Sequence, residues 1–204
     1  MPRKILAPQR REQIIEALFD CLADKGHESI TVKDIARRAN VHYGVIHYYF
    51  KSKDEIVSAM ADSIIARYEH LLLERIQPIP TASEKLRVAT DFLVDEFIFN
   101  RRLNRVFYNL VQMAYERKTI RAALQKQLRT YRGHIAEVVS EGIKDGEFAE
   151  RDSAQIASLM VALVEGMALQ WVINPRALNQ SDVRMMIEDT IGKHLINSRK
   201  ESRA

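Results

Sequence analysis

Residues 31–50 read TVKDIARRANVHYGVIHYYF. Thr31 and Asp34 have the spacing of a capping box: Thr31 accepts from the amide three residues on, and Asp34 returns the bond. Ile35, Ala36 and Ala39 then fall on one helical face. Asn40-Val41 breaks the pattern, and a second helix of about two turns runs from Tyr43 to Tyr49. Small Ala36 and Ala39 let the two helices approach closely, and Val41 and Ile46 have the spacing to fill the core beneath them. Helix, short turn, helix is the layout of a helix-turn-helix, whose second helix enters a DNA major groove while the first crosses the backbone. Tyr43, His47, Tyr48 and Tyr49 surround Gly44 and Val45 there. Hydroxyl and imidazole groups hydrogen-bond phosphates or base edges, and Val45 suits a thymine methyl. Thr31, Arg37, Arg38 and His42 complete the candidate DNA-binding set, with Lys51 and Lys53 at the next helix start, where amide donors and positive charge suit a phosphate.

Outward from this stretch, nearly every segment has helical periodicity. Ile14, Ile15, Leu18, Cys21 and Leu22 precede a stop at Gly26. Asp54 and Glu55 open a fourth helix that ends near Ile76, before Pro78 and Pro80. Thr81-Ala82-Ser83-Glu84 reads as another capping box, followed by Leu86, Ala89, Leu93 and Phe97 at helical spacing. A sixth helix follows Asn100-Arg101-Arg102, a seventh spans Lys118 to Lys144, and an eighth starts at Asp152-Ser153-Ala154-Gln155 and stops at Asn174-Pro175. A ninth runs from about Asn179 to Ile196, leaving a polar tail, 197–204, expected to fray. No segment alternates as a strand. With only 7 Gly and 5 Pro in 204 residues, the turn-rich sandwich, barrel and propeller architectures are not expected. The expected fold is all-α: about nine helices, with a helix-turn-helix domain at 1–53 and a larger helical bundle at 54–204.

The net charge of +4 lies entirely in residues 1–53, where ten basic side chains meet six acidic ones. Such asymmetry points to a polyanionic partner. One cysteine, Cys21, allows no internal disulfide or multi-cysteine metal site and is expected to be inert and buried, in a reducing compartment. The six histidines include no metal-ligand pair, and no phosphate loop or nucleophile elbow is present. No enzymatic activity, metal or cofactor is therefore expected. The N-terminus has no signal-peptide core. The apolar run 157–173 carries Glu165 at its middle, so a membrane span is not expected.

The run from Val32 to Ile56, including the Phe50-Lys51-Ser52-Lys53 corner, resembles the DNA-binding domain of the TetR (tetracycline-repressor) family of bacterial regulators. Helix period, turn length and corner all fall in register over residues 9–60, and the family has about this length and helix count. Two positions depart from the family's habit. His42 stands where Ser or Thr usually caps the recognition helix, and His47 stands where Tyr is usual. Tyr49 occupies a position where His is frequent.

The resemblance implies a cytoplasmic, ligand-responsive repressor that binds a palindromic operator as a homodimer. It implies an inducer held among helices five to eight that moves helix four. Phe92, Glu96, Phe107, Tyr108, Met113, Tyr131 and Trp171 are the candidate pocket residues; their aromatic, sparsely polar character suits an apolar effector, or a cationic one held by ring faces and Glu96 or Glu165. Helices eight and nine would form a four-helix bundle with their twins through Leu159, Ala162, Leu163, Gly166, Met167, Ile187 and Ile191. Helix eight is apolar nearly all round and so needs cover on both sides. The alternatives on the same scaffold are a helical interaction protein, with a protein partner and DNA as a tether, and a regulator without a ligand.

Overall fold

The computed structural model describes residues 3–195, with side chains from Ala7 onward. Among them are nine α-helices and no strand. They are α1 (Arg3–Asp24), α2 (Val32–Arg38), α3 (Tyr43–Tyr49), α4 (Lys53–Ile76), α5 (Ala82–Leu93), α6 (Arg101–Glu116), α7 (Lys118–Lys144), α8 (Ser153–Ile173) and α9 (Gln180–Leu195). A 3₁₀ turn, His27–Ser29, follows α1. The polar tail and the expected end of the ninth helix at Ile196 lie outside the described residues. The helical repeat expected to run through Phe97 changes pitch after Leu93. Val94–Ile98 forms a π turn, with the Phe99 amide donating to the Val94 carbonyl at 3.1 Å. This wider turn buries Val94 and Ile98 together.

The described chain forms two compact units. The first comprises residues 1–68 and 101–126, the second 69–100 and 127–204. This division by packing differs from the functional boundary expected between 53 and 54.

In the first unit, Ile14, Leu18, Leu22, Ile35, Ile46, Phe50, Ile56 and Met60 are fully buried. Each such side chain contributes on the order of 1.5–3 kcal/mol through removal from water. Cys21 is buried among them, and burial pushes its thiol pKa up, which keeps it protonated and unreactive. α6 belongs to this unit and grips the end of α1 with polar side chains. Arg102 pairs with Asp20 at 2.6 Å and Asp24 at 3.5 Å, and Arg105 donates to the Asp24 carbonyl at 2.9 Å. Asn109 accepts from the His27 amide at 2.8 Å and donates to the Leu22 and Arg105 carbonyls at 3.2 and 2.8 Å. One side-chain amide thus satisfies the loose backbone groups where α1 ends and the 3₁₀ turn begins.

The second unit is built on Leu86, Val94, Ile98, Val139, Ile156, Met160, Val164, Met167, Val183, Ile187, Ile191 and Leu195. α8 is long and apolar enough to cross a membrane by length and composition, yet Ile156, Met160, Val164, Met167 and Ala168 are spent on this core.

Thr81 does accept from the Glu84 amide, but Glu84 pairs with Arg87 instead of returning the bond. The carboxylate at the head of α5 is Glu147, which accepts from the Ala82 and Ser83 amides at 2.9 Å each and from the Ser83 hydroxyl at 2.6 Å. The Ser83 hydroxyl, then the two amides, hold its pKa below the usual carboxylate value. Glu147 reaches that place because α7 ends on Gly146, at φ +75°. Only glycine enters that left-handed region at no cost. Phe148 then lies against Gly142, and the Ala149 amide donates to the Leu195 carbonyl at 2.8 Å.

Candidate nucleic-acid interface

The helix-turn-helix forms as its local chemistry dictates. Thr31 and Asp34 make the full capping box of α2. Bonds from the Thr31 hydroxyl and amide hold the Asp34 carboxyl below its ordinary pKa. Asn40 takes a left-handed φ of +49°, which Asn tolerates better than other non-glycine residues. Its amide donates to the Arg37 carbonyl and that of Val41 to the Ala36 carbonyl. This closes α2 with a Schellman pair and turns the chain sharply into α3. His42 caps α3: its Nδ1 accepts from the Gly44 amide at 3.2 Å.

α3 is fixed from beneath by Ile46, 1% exposed, and by Phe50, whose ring carries the Arg11 guanidinium at 4.7 Å from its centroid. Its other face is open. Tyr48 is 82% exposed and Tyr43 41%. Gly44 and His47 are exposed too, and Val45 and Tyr49 are half-buried. Tyr43 lies edge-on to His47 at 4.7 Å, and Tyr48 to Tyr49 at 5.0 Å, so the rings brace one another in pairs. Arg37 is exposed and pairs with Asp34 three residues back at 3.2 Å. Lys51 is also exposed.

Three members of the expected set have structural duties. The Lys53 ammonium donates to the Ile30 carbonyl at 2.5 Å and the His27 carbonyl at 2.9 Å. Burial, more than any neighbour, pushes its pKa down. Two of its three donors are therefore committed inside the unit. Arg38 pairs with Asp24 and, at 3.7 Å, with Asp20. Thr31 spends its hydroxyl on the α2 cap. Sequence spacing sees the corner residue but not the carbonyls it meets 23 and 26 positions away.

The effector candidates divide between the units. Phe107, Tyr108 and Met113 are on α6 in the first, with the Phe107 and Tyr108 rings 5.5 Å apart. Phe92, Glu96, Tyr131 and Trp171 are in the second. Arg75 lies over the Phe92 ring at 4.7 Å and pairs with Glu96 at 3.6 Å. Trp171 stacks at a tilt on Phe99, 5.3 Å between centroids, and Tyr131 accepts from Gln127 at 3.2 Å. Glu165 is half-buried on α8, and burial raises its pKa. A cleft of about 540 Å³ in the second unit is lined by His70, Leu73, Glu74, Ile76, Gln77, Lys85 and Val138, none of them an expected effector residue.

The expected dimer surface needs correction. Met167, Ile187 and Ile191 are 8%, 0% and 6% exposed because they fill the second unit's own core. Of the rest, Ala162 is exposed, and Leu159, Leu163 and Gly166 are half-buried. The large apolar side chains left outside on α8 and α9 are Leu169, Ile173, Met185 and Met186.

Comparison with known proteins agrees with this geometry. Residues 14–60 match the model of bacterial regulatory proteins of the tetR family, and residues 82–195 match that of the BetI-type transcriptional repressor C-terminal region. The HTH-type transcriptional regulator BetI of Klebsiella pneumoniae is 25% identical over 202 residues, covering 97% of this chain and all of its own. A transcriptional regulator from Saccharomonospora viridis, solved in complex with choline, superposes with a TM-score of 0.85 at 20% identity, over 93% of this chain and 99% of its own. FadR from Bacillus subtilis, solved with stearoyl-CoA, superposes with a TM-score of 0.78 at 22% identity, over 88% and 96%. The open α3 face on a fixed helix-turn-helix, joined to a helical C-terminal region that matches over more than half the chain, makes this protein a member of the tetR family of DNA-binding transcriptional regulators, with a C-terminal region of the BetI repressor type.

Proposed function

We propose that the protein is a cytoplasmic repressor that binds a palindromic operator as a homodimer and is released by a small-molecule effector. The observation that carries this reading is the α3 face. Tyr43, Gly44, His47 and Tyr48 stand outward while Ile46 and Phe50 hold the helix from beneath. These four, with Val45 and Tyr49, are the proposed base-reading and backbone-touching set, and Arg37 and Lys51 the proposed phosphate contacts. The DNA-reading part is residues 1–53, and residues 54–204 serve effector binding and assembly. Dimerisation through α8 and α9 is supported by Leu169, Ile173, Met185 and Met186, 46%, 74%, 60% and 48% exposed. Large apolar side chains left in water are typical of an interface.

An effector is supported by the two superposing regulators that hold choline and stearoyl-CoA. In this chain the Arg75 guanidinium on Phe92 and Glu96 favours an apolar or anionic effector over a small cation at that place. Selecting bound DNA from random duplexes tests the reading. The expected product is a consensus with dyad symmetry, its half-sites about 34–36 Å apart or a multiple of that. A consensus without dyad symmetry overturns the dimeric operator complex.

A further inference from the structure

We infer that His42 is a specificity-determining residue of this regulator, coupling the shape of the recognition helix to the reading of one base pair in each half-site. The inference rests on the proposed docking of α3 in the major groove.

A backbone amide only donates, so the bond from the Gly44 amide to His42 Nδ1, 3.2 Å long, requires that nitrogen to carry a lone pair. The proton of the neutral ring is then on Nε2, across the imidazole from the capping bond. The cap thus selects the tautomer. It also fixes the ring's place: Nδ1 and Cε1 lie 3.5 and 4.0 Å from where a Cβ on Gly44 would stand, so the imidazole rests along the bare first turn of α3. His42 is exposed, and among the described residues none bonds to its Nε2. The result is a single N–H donor of known polarity, held by the helix it caps, just ahead of Tyr43.

The first residues of a recognition helix meet base edges. A lone donor there is satisfied by purine N7, guanine O6 or thymine O4. Cytosine presents an N4 amino group at that edge instead, so donor meets donor. The expected signature is one position per half-site at which cytosine is disfavoured by about fivefold, the worth of one net hydrogen bond.

The test compares the full-length wild type with His42→Ser and His42→Ala. Serine keeps an N-cap oxygen but reaches less far and lacks the imidazole N–H. Each protein is used to select DNA from random duplexes, and each is assayed for thermal unfolding and for the salt dependence of binding to the wild-type consensus. The expected result is that His42→Ser melts with the wild type and keeps its salt slope, while cytosine is admitted at the one position. His42→Ala is expected to admit cytosine and to melt earlier through loss of the cap. Persistence of the cytosine exclusion in His42→Ser overturns the inference and leaves His42 a cap only. A uniform loss of affinity with a salt slope lower by about 1 also overturns it, since that is a phosphate contact. If the wild type yields no consensus, the proposed function fails first and the inference with it. A dyad consensus unaltered by His42→Ser removes the inference alone.

Discussion

Gly133 and Gly142 occupy the same helix, α7, and alanine at either position should raise intrinsic helix stability by about 1 kcal/mol. Their surroundings differ. A Cβ at Gly133 meets nothing within 4 Å, so Gly133→Ala is expected to realise most of that gain. A Cβ at Gly142 would stand 2.3 and 2.4 Å from Cδ2 and Cε2 of Phe148 and 2.8 Å from the Ala82 Cβ. Carbon pairs settle at about 3.5–4.0 Å, so the ring must retreat by more than an ångström. It has little freedom to do so, because its neighbours Glu147 and Ala149 are bonded to the start of α5 and the end of α9. Overpacking of this kind costs about 1–3 kcal/mol, and the alanine gain offsets only part of it. The two variants should differ by about 1–3 kcal/mol, with opposite signs relative to wild type. In a chain of this size that separates their Tm values by roughly 2–12 °C. Thermal unfolding at one protein concentration measures it. Phe148→Leu should lower stability alone but restore part of the loss in the Gly142→Ala background. Equal stabilisation by the two alanines would refute the close approach of Phe148 to α7.

Lys53→Met keeps the apolar stem but removes the ammonium from the His27 and Ile30 carbonyls. It should lower stability by about 2 kcal/mol while leaving the salt slope of operator binding unchanged; a slope lower by about 1 would return Lys53 to a phosphate. Glu147 has a folded pKa below its unfolded value of about 4.3. Its contribution is therefore fully present above that value and is lost as pH falls through the lower, folded pKa. Glu147→Gln should cost about 1 kcal/mol at pH 7, and the gap to wild type should close below about pH 4; a gap independent of pH in acid titrations would disprove the charged cap. Ile173→Glu, at a side chain 74% exposed, should leave the subunit's unfolding transition in place but give monomers in sedimentation and abolish tight binding to a palindrome. A stable Ile173→Glu dimer would move the interface elsewhere.

Helix number and the helix-turn-helix were legible because their signals are local. The Thr31–Asp34 box, the Asn40 turn and the buried Ile35, Ala36, Ala39 and Ile46 all lie within a few residues of their partners. What spacing could not show was competition for a side chain by distant groups. Lys53 and Arg38 are basic and well placed for DNA, yet backbone carbonyls and Asp20 and Asp24 claim them. The same blindness affected α8 and α9. An all-round apolar helix has two faces to cover, and periodicity does not say which face its own chain takes. Met167, Ile187 and Ile191 went inward, leaving Leu169, Ile173 and Met185 outside. The Glu147 cap was hidden because it sits 64 and 65 residues from its donors.

The grip of α6 on the end of α1 has a consequence for how the protein is made. The His27 amide, the Leu22 and Asp24 carbonyls and the Asp20 carboxylate find partners on Arg102, Arg105 and Asn109. A nascent chain that has just left the ribosome with its recognition helix complete does not yet have them. Translation proceeds at about 5–20 residues per second, so several seconds pass before α6 emerges and the first unit closes. Until then the first unit lacks these bonds. A fragment cut after the recognition helix lacks every one of these bonds, so it is expected to melt below the full chain.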